Sequence, residues 1–203
     1  MMGKTIALFG GAFNPPHKGH VSAAERVLDA LEPDILLVMP TGVSPHKPLP
    51  AGSPAPEHRL AMTRLAFAHW PNVQVSDWEM TQTAPNYTVD TVQMLRVQYP
   101  AYQIYIVMGT DMFLSLQEWR RPDRLLELAG VAILARDTGQ ERAMGEQAEF
   151  LAHRYGALIR LIAHEPLAVS STQLRDKLRR GQGDDCLPPA VADYIRVNGL
   201  YAV

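Results

Sequence analysis

Two histidines three positions apart, His17 and His20, follow a glycine pair in the run Gly10-Gly11-Ala12-Phe13-Asn14-Pro15-Pro16-His17-Lys18-Gly19-His20. At the start of a helix that spacing brings both imidazoles to one side. A helix N-terminus exposes unpaired N–H groups and holds anions, and two imidazoles there add donors to the same anion. Paired glycines at a strand end let a backbone turn sharply and approach a ligand closely. A second run, Val169-Ser170-Ser171-Thr172-Gln173-Leu174-Arg175, sets hydroxyls at another helix start, where Ser and Thr are strong N-caps. Arg175 lies one turn in, placed to fork onto phosphate oxygens. Singly, each run has a plainer reading: a Gly/Pro turn with surface histidines, and a capped helix with a solvated arginine. Together they describe a phosphate site built from the two ends of one chain.

Other residues offer chemistry of a complementary kind. Pro45-His46-Lys47 lies in a proline-rich stretch, and Lys47 can meet a phosphate as a point charge. Asn86-Tyr87-Thr88-Val89-Asp90-Thr91 precedes a helical pattern, so backbone N–H groups and the Thr88 hydroxyl are apt donors to a carboxylate. Gly109-Thr110-Asp111 follows an apolar run, where the Asp111 carboxylate can accept from sugar hydroxyls or a base. Trp119 offers a flat face for an aromatic ring, or packs in the core. No Ser/His/Asp or Cys/His set can be assembled, because Cys186 is far from any base. No cluster of His, Asp and Glu has the spacing of a metal cage. Donors for phosphates with few convincing proton-transfer groups suit phosphoryl or nucleotidyl transfer, where positioning and electrostatics supply most of the catalysis.

These residues need a scaffold that gathers them. Apolar runs at 5–9, 35–39, 73–75, 104–108, 131–135 and 158–162 read as strands, and helical patterns fall at 20–31, 57–69, 89–98, 122–129, 140–154, 171–180 and 189–197. Continuous apolar runs suit strands covered on both faces. Strand–helix alternation predicts an α/β fold, a doubly wound parallel sheet with right-handed connections. The last two helical patterns have no strand partner and are expected as a C-terminal helical cap. With no repeat, low-complexity tract or linker, the 203 residues read as a single domain over 1–203. In such sheets ligands bind outside the carboxyl ends of the strands, where the first motif falls.

Bulk properties narrow the partners. A hydrophobic fraction of 47% excludes a disordered chain, and the single Cys excludes a disulfide framework. The net charge of −2 argues against a general nucleic-acid binder, while leaving a small phosphorylated ligand open. No apolar run reaches a membrane span, and the first one is too short for a signal-peptide core, so no membrane association and a cytoplasmic location are expected. Six of the 16 prolines fall between Pro40 and Pro56, which marks one stiff irregular loop; nothing fixes the copy number, and a homo-oligomer is compatible.

The glycine–histidine run resembles the nucleotidyltransferases whose His-x-Gly-His motif grips ATP, and within them the bacterial nicotinate mononucleotide adenylyltransferases. The likeness extends over nearly the whole chain. It covers Ser170-Ser171-Thr172 with Arg175, Pro45-His46-Lys47, Tyr87-Thr88 with Asp90 and Thr91, and Gly109-x-Asp111 with Trp119. Ala12 and Asn14 stand where Thr and Asp are common, Asn86 where Ser is, and Val169 where Ile is. The resemblance implies a Rossmann-like sheet and transfer of AMP from ATP to nicotinate mononucleotide. His17, His20 and Arg175 would then stabilise phosphate charge. Gly10, Gly11, Ala12, Phe13, Gly19, Gly109, Asp111, Ser170, Ser171 and Thr172 would bind ATP. His46, Lys47, Tyr87, Thr88 and Trp119 would bind the mononucleotide, with Trp119 stacking on its ring. Mg²⁺ would arrive with ATP, held by phosphate oxygens and water.

Three alternatives share these motifs. A phosphopantetheine adenylyltransferase is usually shorter and leaves Tyr87, Thr88 and Trp119 without a role. A nicotinamide mononucleotide enzyme differs only in acid versus amide preference. A non-catalytic nucleotide sensor has less need of both phosphate motifs. An aminoacyl-tRNA synthetase would also carry His-x-Gly-His, but 203 residues leave no room for its other domains, and no Lys-Met-Ser-Lys-Ser segment is present.

Overall fold

A computed structural model describes residues 3–44, 48–83, 85–135, 139–165, 167 and 169–201. The six expected strands form: β1 (Thr5–Gly11), β2 (Ile35–Pro40), β3 (Val73–Val75), β4 (Gln103–Gly109), β5 (Gly130–Ala135) and β6 (Ile159–Ala163). They make one parallel sheet in the order β3-β2-β1-β4-β5-β6. Between β1 and β4 the strand order reverses direction, which opens a crevice at their carboxyl ends.

The helices are α1 (Lys18–Leu31), α2 (Pro56–Phe67), α3 (Thr88–Gln98), α4 (Thr110–Leu114), α5 (Pro122–Leu128), α6 (Glu141–Tyr155), α7 (Ser171–Leu178) and α8 (Pro189–Val197). Short 3₁₀ turns occur at Trp78–Thr81, Leu116–Glu118 and Asp184–Cys186. The apolar strands feed two cores. Ala7 and Phe9 of β1 join Ala24, Val27, Met62, Phe67, Leu174 and Ile195 on one face. Ile6 and Leu8 join Val92, Leu95, Leu125 and Leu151 on the other. The C-terminal helices α7 and α8 therefore add to the layer of α1 and α2. The edge strand β6 departs from continuous burial, with Leu161 60% exposed, because its outer neighbour is solvent.

α4 and the 3₁₀ turns were not expected from periodicity, since each is too short to show an apolar stripe. Among the described residues no helix is long and apolar enough to cross a membrane.

Candidate functional site

The loop from β1 to α1 carries the first motif, and its geometry differs from the expected glycine turn. Gly10 and Gly11 stay in the extended strand. The left-handed residue is Phe13, at φ 44°. A bulky residue there costs roughly 1–3 kcal/mol, and the buried ring holds it in place. Phe13 is 1% exposed and packs against Phe9, Phe67 and His20, with ring centroids 5.7, 6.0 and 5.0 Å away. Gly11 has a packing reason, since a Cβ there would lie 3.2 Å from the Phe13 ring. Phe13, expected at ATP, turns its side chain into the core and packs against His20.

His17 is the N-cap of α1 and His20 its third residue. The two rings stack at 3.8 Å between centroids, at 30°. The His17 backbone N–H donates to His20 Nδ1 at 3.2 Å. Nδ1 is therefore an acceptor, and in the neutral ring the proton sits on Nε2 as a donor. Burial holds the His17 imidazole down at about 4 and the His20 imidazole down at about 3, the latter also lowered by the His17 charge. Both rings are neutral at neutral pH, and His20 presents Nε2–H as a donor. Gly19 leaves room for the His17 ring, since a Cβ there would lie 3.0 Å from Nδ1.

The second motif arrives at the same place. His17 Nε2 and Ser171 Oγ are 3.0 Å apart. Arg175, 9% exposed, donates from Nη1 to the Asn14 carbonyl at 3.0 Å and from Nη2 to Thr172 Oγ1 at 3.0 Å. Ser170 is the N-cap of α7 but its side chain makes no cap bond. The Ser171 and Thr172 hydroxyls thus hold His17 and Arg175 rather than capping the helix.

Two adjoining cavities open along the crevice and share Phe9, Gly109 and Leu134. One, of about 290 Å³, is lined by His17, Gly19, His20, Ser171 and His164. The other, of about 320 Å³, is lined by Gly10, Gly11, Ala12, Thr41, Ser44, Glu79, Asn86, Thr88, Met112 and Trp119. Gly10, Gly11 and Ala12, expected at ATP, therefore form a wall of the second cavity, because β1 continues extended through them. Gly109 belongs to both. Asp111 is exposed on the first turn of α4, outside the lining of either cavity.

Thr88 and Trp119 both line the second cavity. Tyr87 is the N-cap of α3, and its ring lies 4.4 Å beneath the Arg120 guanidinium. Asn86 fastens this turn to the β2–α2 loop: Val43 N–H donates to Asn86 Oδ1 at 2.7 Å, and Asn86 N–H to the Val43 carbonyl at 2.8 Å. His46 and Lys47 lie outside the described residues.

Several participants carry no role assignable from the sequence. Glu79 is 8% exposed; Thr91 donates to its Oε1 at 2.8 Å and Thr41 bonds it too, while burial raises its pKa above the usual carboxylate range. Tyr201 Oη donates to Asn14 Oδ1 at 2.7 Å. Arg59 sits in the core with no surface exposed. One signal was available for Arg59: with Met62, Thr63, Ala66 and Phe67 it completes one helical stripe, and those four are buried. Among the described residues no group of three or more His, Cys, Asp or Glu is arranged to hold a metal ion.

Comparison with known proteins agrees with this architecture. Residues 8–177 match the cytidylyltransferase-like family. A protein of Aeromonas salmonicida named "Probable nicotinate-nucleotide adenylyltransferase" is 38% identical, over 99% of both chains. One of Carboxydothermus hydrogenoformans with the same name is 32% identical, over 99% of this chain and all of the other. The solved Plasmodium falciparum nicotinic acid mononucleotide adenylyltransferase complexed with NaAD shares the fold, with a TM-score of 0.78 at 18% identity, covering 98% of this chain and 97% of that one.

Proposed function

The chain belongs to the nicotinate-nucleotide adenylyltransferases of the cytidylyltransferase-like family, and from that premise we propose that it joins nicotinate mononucleotide to the adenylyl group of ATP. The products are nicotinate adenine dinucleotide and pyrophosphate. The observation that carries this reading is the pair of adjoining cavities, one lined by His17, His20 and Ser171, the other by Thr88 and Trp119.

The chemistry follows from the donors present. A phosphate monoester has a second pKa of about 6 and is largely a dianion at neutral pH, so it attacks without a general base. One of its oxygens forms a bond to the α-phosphorus of ATP, and the bond from that phosphorus to the β-phosphate bridging oxygen breaks. The electron pair leaves with pyrophosphate. Charge grows on the α- and β-phosphate oxygens during this step, and fixed neutral donors stabilise it without reorganisation. His20 offers Nε2–H, its tautomer set by the backbone bond at Nδ1. The first turns of α1 and α7 add N–H groups. Mg²⁺ would arrive with ATP and would neutralise phosphate charge there, leaving His17, His20 and Ser171 of the first cavity to meet the phosphates directly.

On the acceptor side, α3 begins at the cavity with no side-chain cap, so its first N–H groups are available to a carboxylate. A carboxylate only accepts, whereas an amide also donates, which favours the acid form of the ring substituent. The deciding experiment measures pyrophosphate release with ATP and, in turn, nicotinate mononucleotide, nicotinamide mononucleotide and phosphopantetheine. Turnover with the first at kcat/KM above the other two is expected. Activity only with phosphopantetheine, or with none of the three, overturns the reading.

A further inference from the structure

Arg59 is a cation with none of its surface exposed, and among the described residues it pairs with no carboxylate. Its Nη1 donates to the Ala12 carbonyl at 2.8 Å and to the Thr41 carbonyl at 2.9 Å. Nε and Nη2 are buried with no partner among the described residues. Burying a guanidinium on such terms is costly, and a well-packed apolar side chain of similar volume commonly leaves a core as stable or more so. Stability therefore does not account for this residue.

What it touches does. The β1–β2 ladder runs in register to Gly11↔Pro40, and Thr41 N–H still reaches the Gly11 carbonyl at 2.9 Å. One residue further on, the two chains part: β1 turns toward His17, and β2 enters the proline-rich loop. The carbonyls of Ala12 and Thr41 lie where the ladder has ended, and the two protons of Arg59 Nη1 take both. Ala12 and Thr41 each line the cavity that holds Thr88 and Trp119. The Thr41 side chain extends the same link to Glu79, which accepts from Thr91 on α3. The arginine is itself held firmly. Thr63 Oγ1 donates to the Arg59 carbonyl at 2.7 Å, and Met62, Ala66 and Phe67 anchor α2 in the core.

We propose that Arg59 is a positioning residue, which holds the β1–α1 and β2–α2 loops at the separation at which the acceptor phosphate meets ATP. It acts through two backbone carbonyls and touches neither substrate. This rests on the adenylyltransferase reading for the identity of the acceptor, though not for the loop clamp itself.

Two variants test it. Arg59→Met keeps the length and removes the donors; Arg59→Lys keeps the charge and loses the planar fork that serves two acceptors at once. For each, thermal melts are recorded, kcat and KM are measured for ATP and for nicotinate mononucleotide, and ATP affinity is measured alone by calorimetry. The expected result is a cooperatively folded Arg59→Met protein whose KM for the mononucleotide rises about tenfold, with Arg59→Lys intermediate, the scale of losing charge-assisted hydrogen bonds. A purely structural residue would move the melting temperature and leave both KM values unchanged. KM and ATP affinity within twofold of the parent in a folded variant overturn the proposal. So does failure of both variants to fold at any temperature, because the residue then serves the whole fold. If the parent itself turns over no acceptor, the functional reading fails instead. The clamp is then judged by ATP affinity, where a loss of about threefold or more in Arg59→Met supports it and a smaller change overturns it.

Discussion

His17 and Ser171 are 154 positions apart in the chain and 3.0 Å apart in the fold, imidazole Nε2 against hydroxyl Oγ. This contact joins the helix starts of α1 and α7 across the carboxyl end of the sheet. It fixes the His17 ring through Nε2, while its other nitrogen, Nδ1, is buried. Ser171→Ala removes the restraint and leaves the ring free to rotate. The expected loss in kcat/KM is about three- to tenfold, the worth of one hydrogen bond. Steady-state assays on the folded variant check this, and an unchanged value would show that stacking on His20 alone orients His17.

His20 is expected to matter more. Its tautomer is set by the bond from the His17 backbone, so Nε2–H points its dipole outward as a ready donor. His20→Ala should lower kcat by something like 10²–10³, the scale of removing one preorganised donor to developing charge. Single-turnover rates with saturating ATP separate this from a binding effect. A loss under threefold rules out the role.

Gly19 is a more local matter. A methyl group there would sit 3.0 Å from His17 Nδ1 and 3.1 Å from Cε1. Alanine is the better helix residue by about 1 kcal/mol, so Gly19→Ala should not weaken α1. It should push the His17 ring out of register with Ser171 and reduce kcat/KM by roughly tenfold. A melting temperature held or raised, together with reduced activity, is the expected pair of measurements. Retained activity would show that the ring accommodates the methyl group.

Acid should destabilise the site through the same histidines. Burial lowers their folded-state values to about 4 for His17 and about 3 for His20, against an ordinary 6.5. Between those values and 6.5 the unfolded chain binds more protons than the folded one, so stability rises with pH across that window. The stabilisation is complete above about pH 6.5 and is lost progressively as pH falls toward 4. Melting temperatures of the parent should drop through this range, and those of His20→Asn should drop less steeply, since one titrating group is gone. Parallel curves for the two proteins would place the acid sensitivity elsewhere.

The parts of this site that could be read without coordinates are those whose chemistry is local. Helix-start histidines, serines and an arginine one turn in mark the two runs that the fold brings together at His17 and Ser171, and the apolar runs of β1, β2, β4 and β5 declare strands buried on both faces. The turn itself was misread. Gly10 and Gly11 looked like its hinge, yet Phe13 adopts the left-handed backbone and Gly11 makes room for its ring. No local rule favours a phenylalanine there; only the packing of Phe9, Phe67 and His20 around it does. Thr41, Glu79 and Tyr201 were illegible for a related reason. Their partners lie on other elements, and a buried polar chain such as Thr41–Glu79–Thr91 exists only once three loops have met.

Tyr201 gives the last test, because it stabilises the first motif from the far end of the chain. Its ring is 7% exposed and its hydroxyl donates to Asn14 Oδ1 at 2.7 Å. Asn14 is 2% exposed, and its Nδ2 donates to Ser53 Oγ at 2.7 Å while its carbonyl receives Arg175. Both ends of the Asn14 side-chain amide are thus engaged, the Oδ1 end in a buried bond. Burial also raises the pKa of the Tyr201 phenol, despite the nearby Arg175 and Arg59 charges, so it remains a protonated donor. Tyr201→Phe removes that donor and strands Oδ1, at a cost of about 1–3 kcal/mol. Denaturant melts should show the lower midpoint with an unchanged slope, since no extra surface is exposed. Activity at temperatures where the variant stays folded should be nearly that of the parent, because Arg175 still holds the Asn14 carbonyl. A midpoint equal to the parent's would mean that the Asn14 amide finds another partner when the hydroxyl is gone.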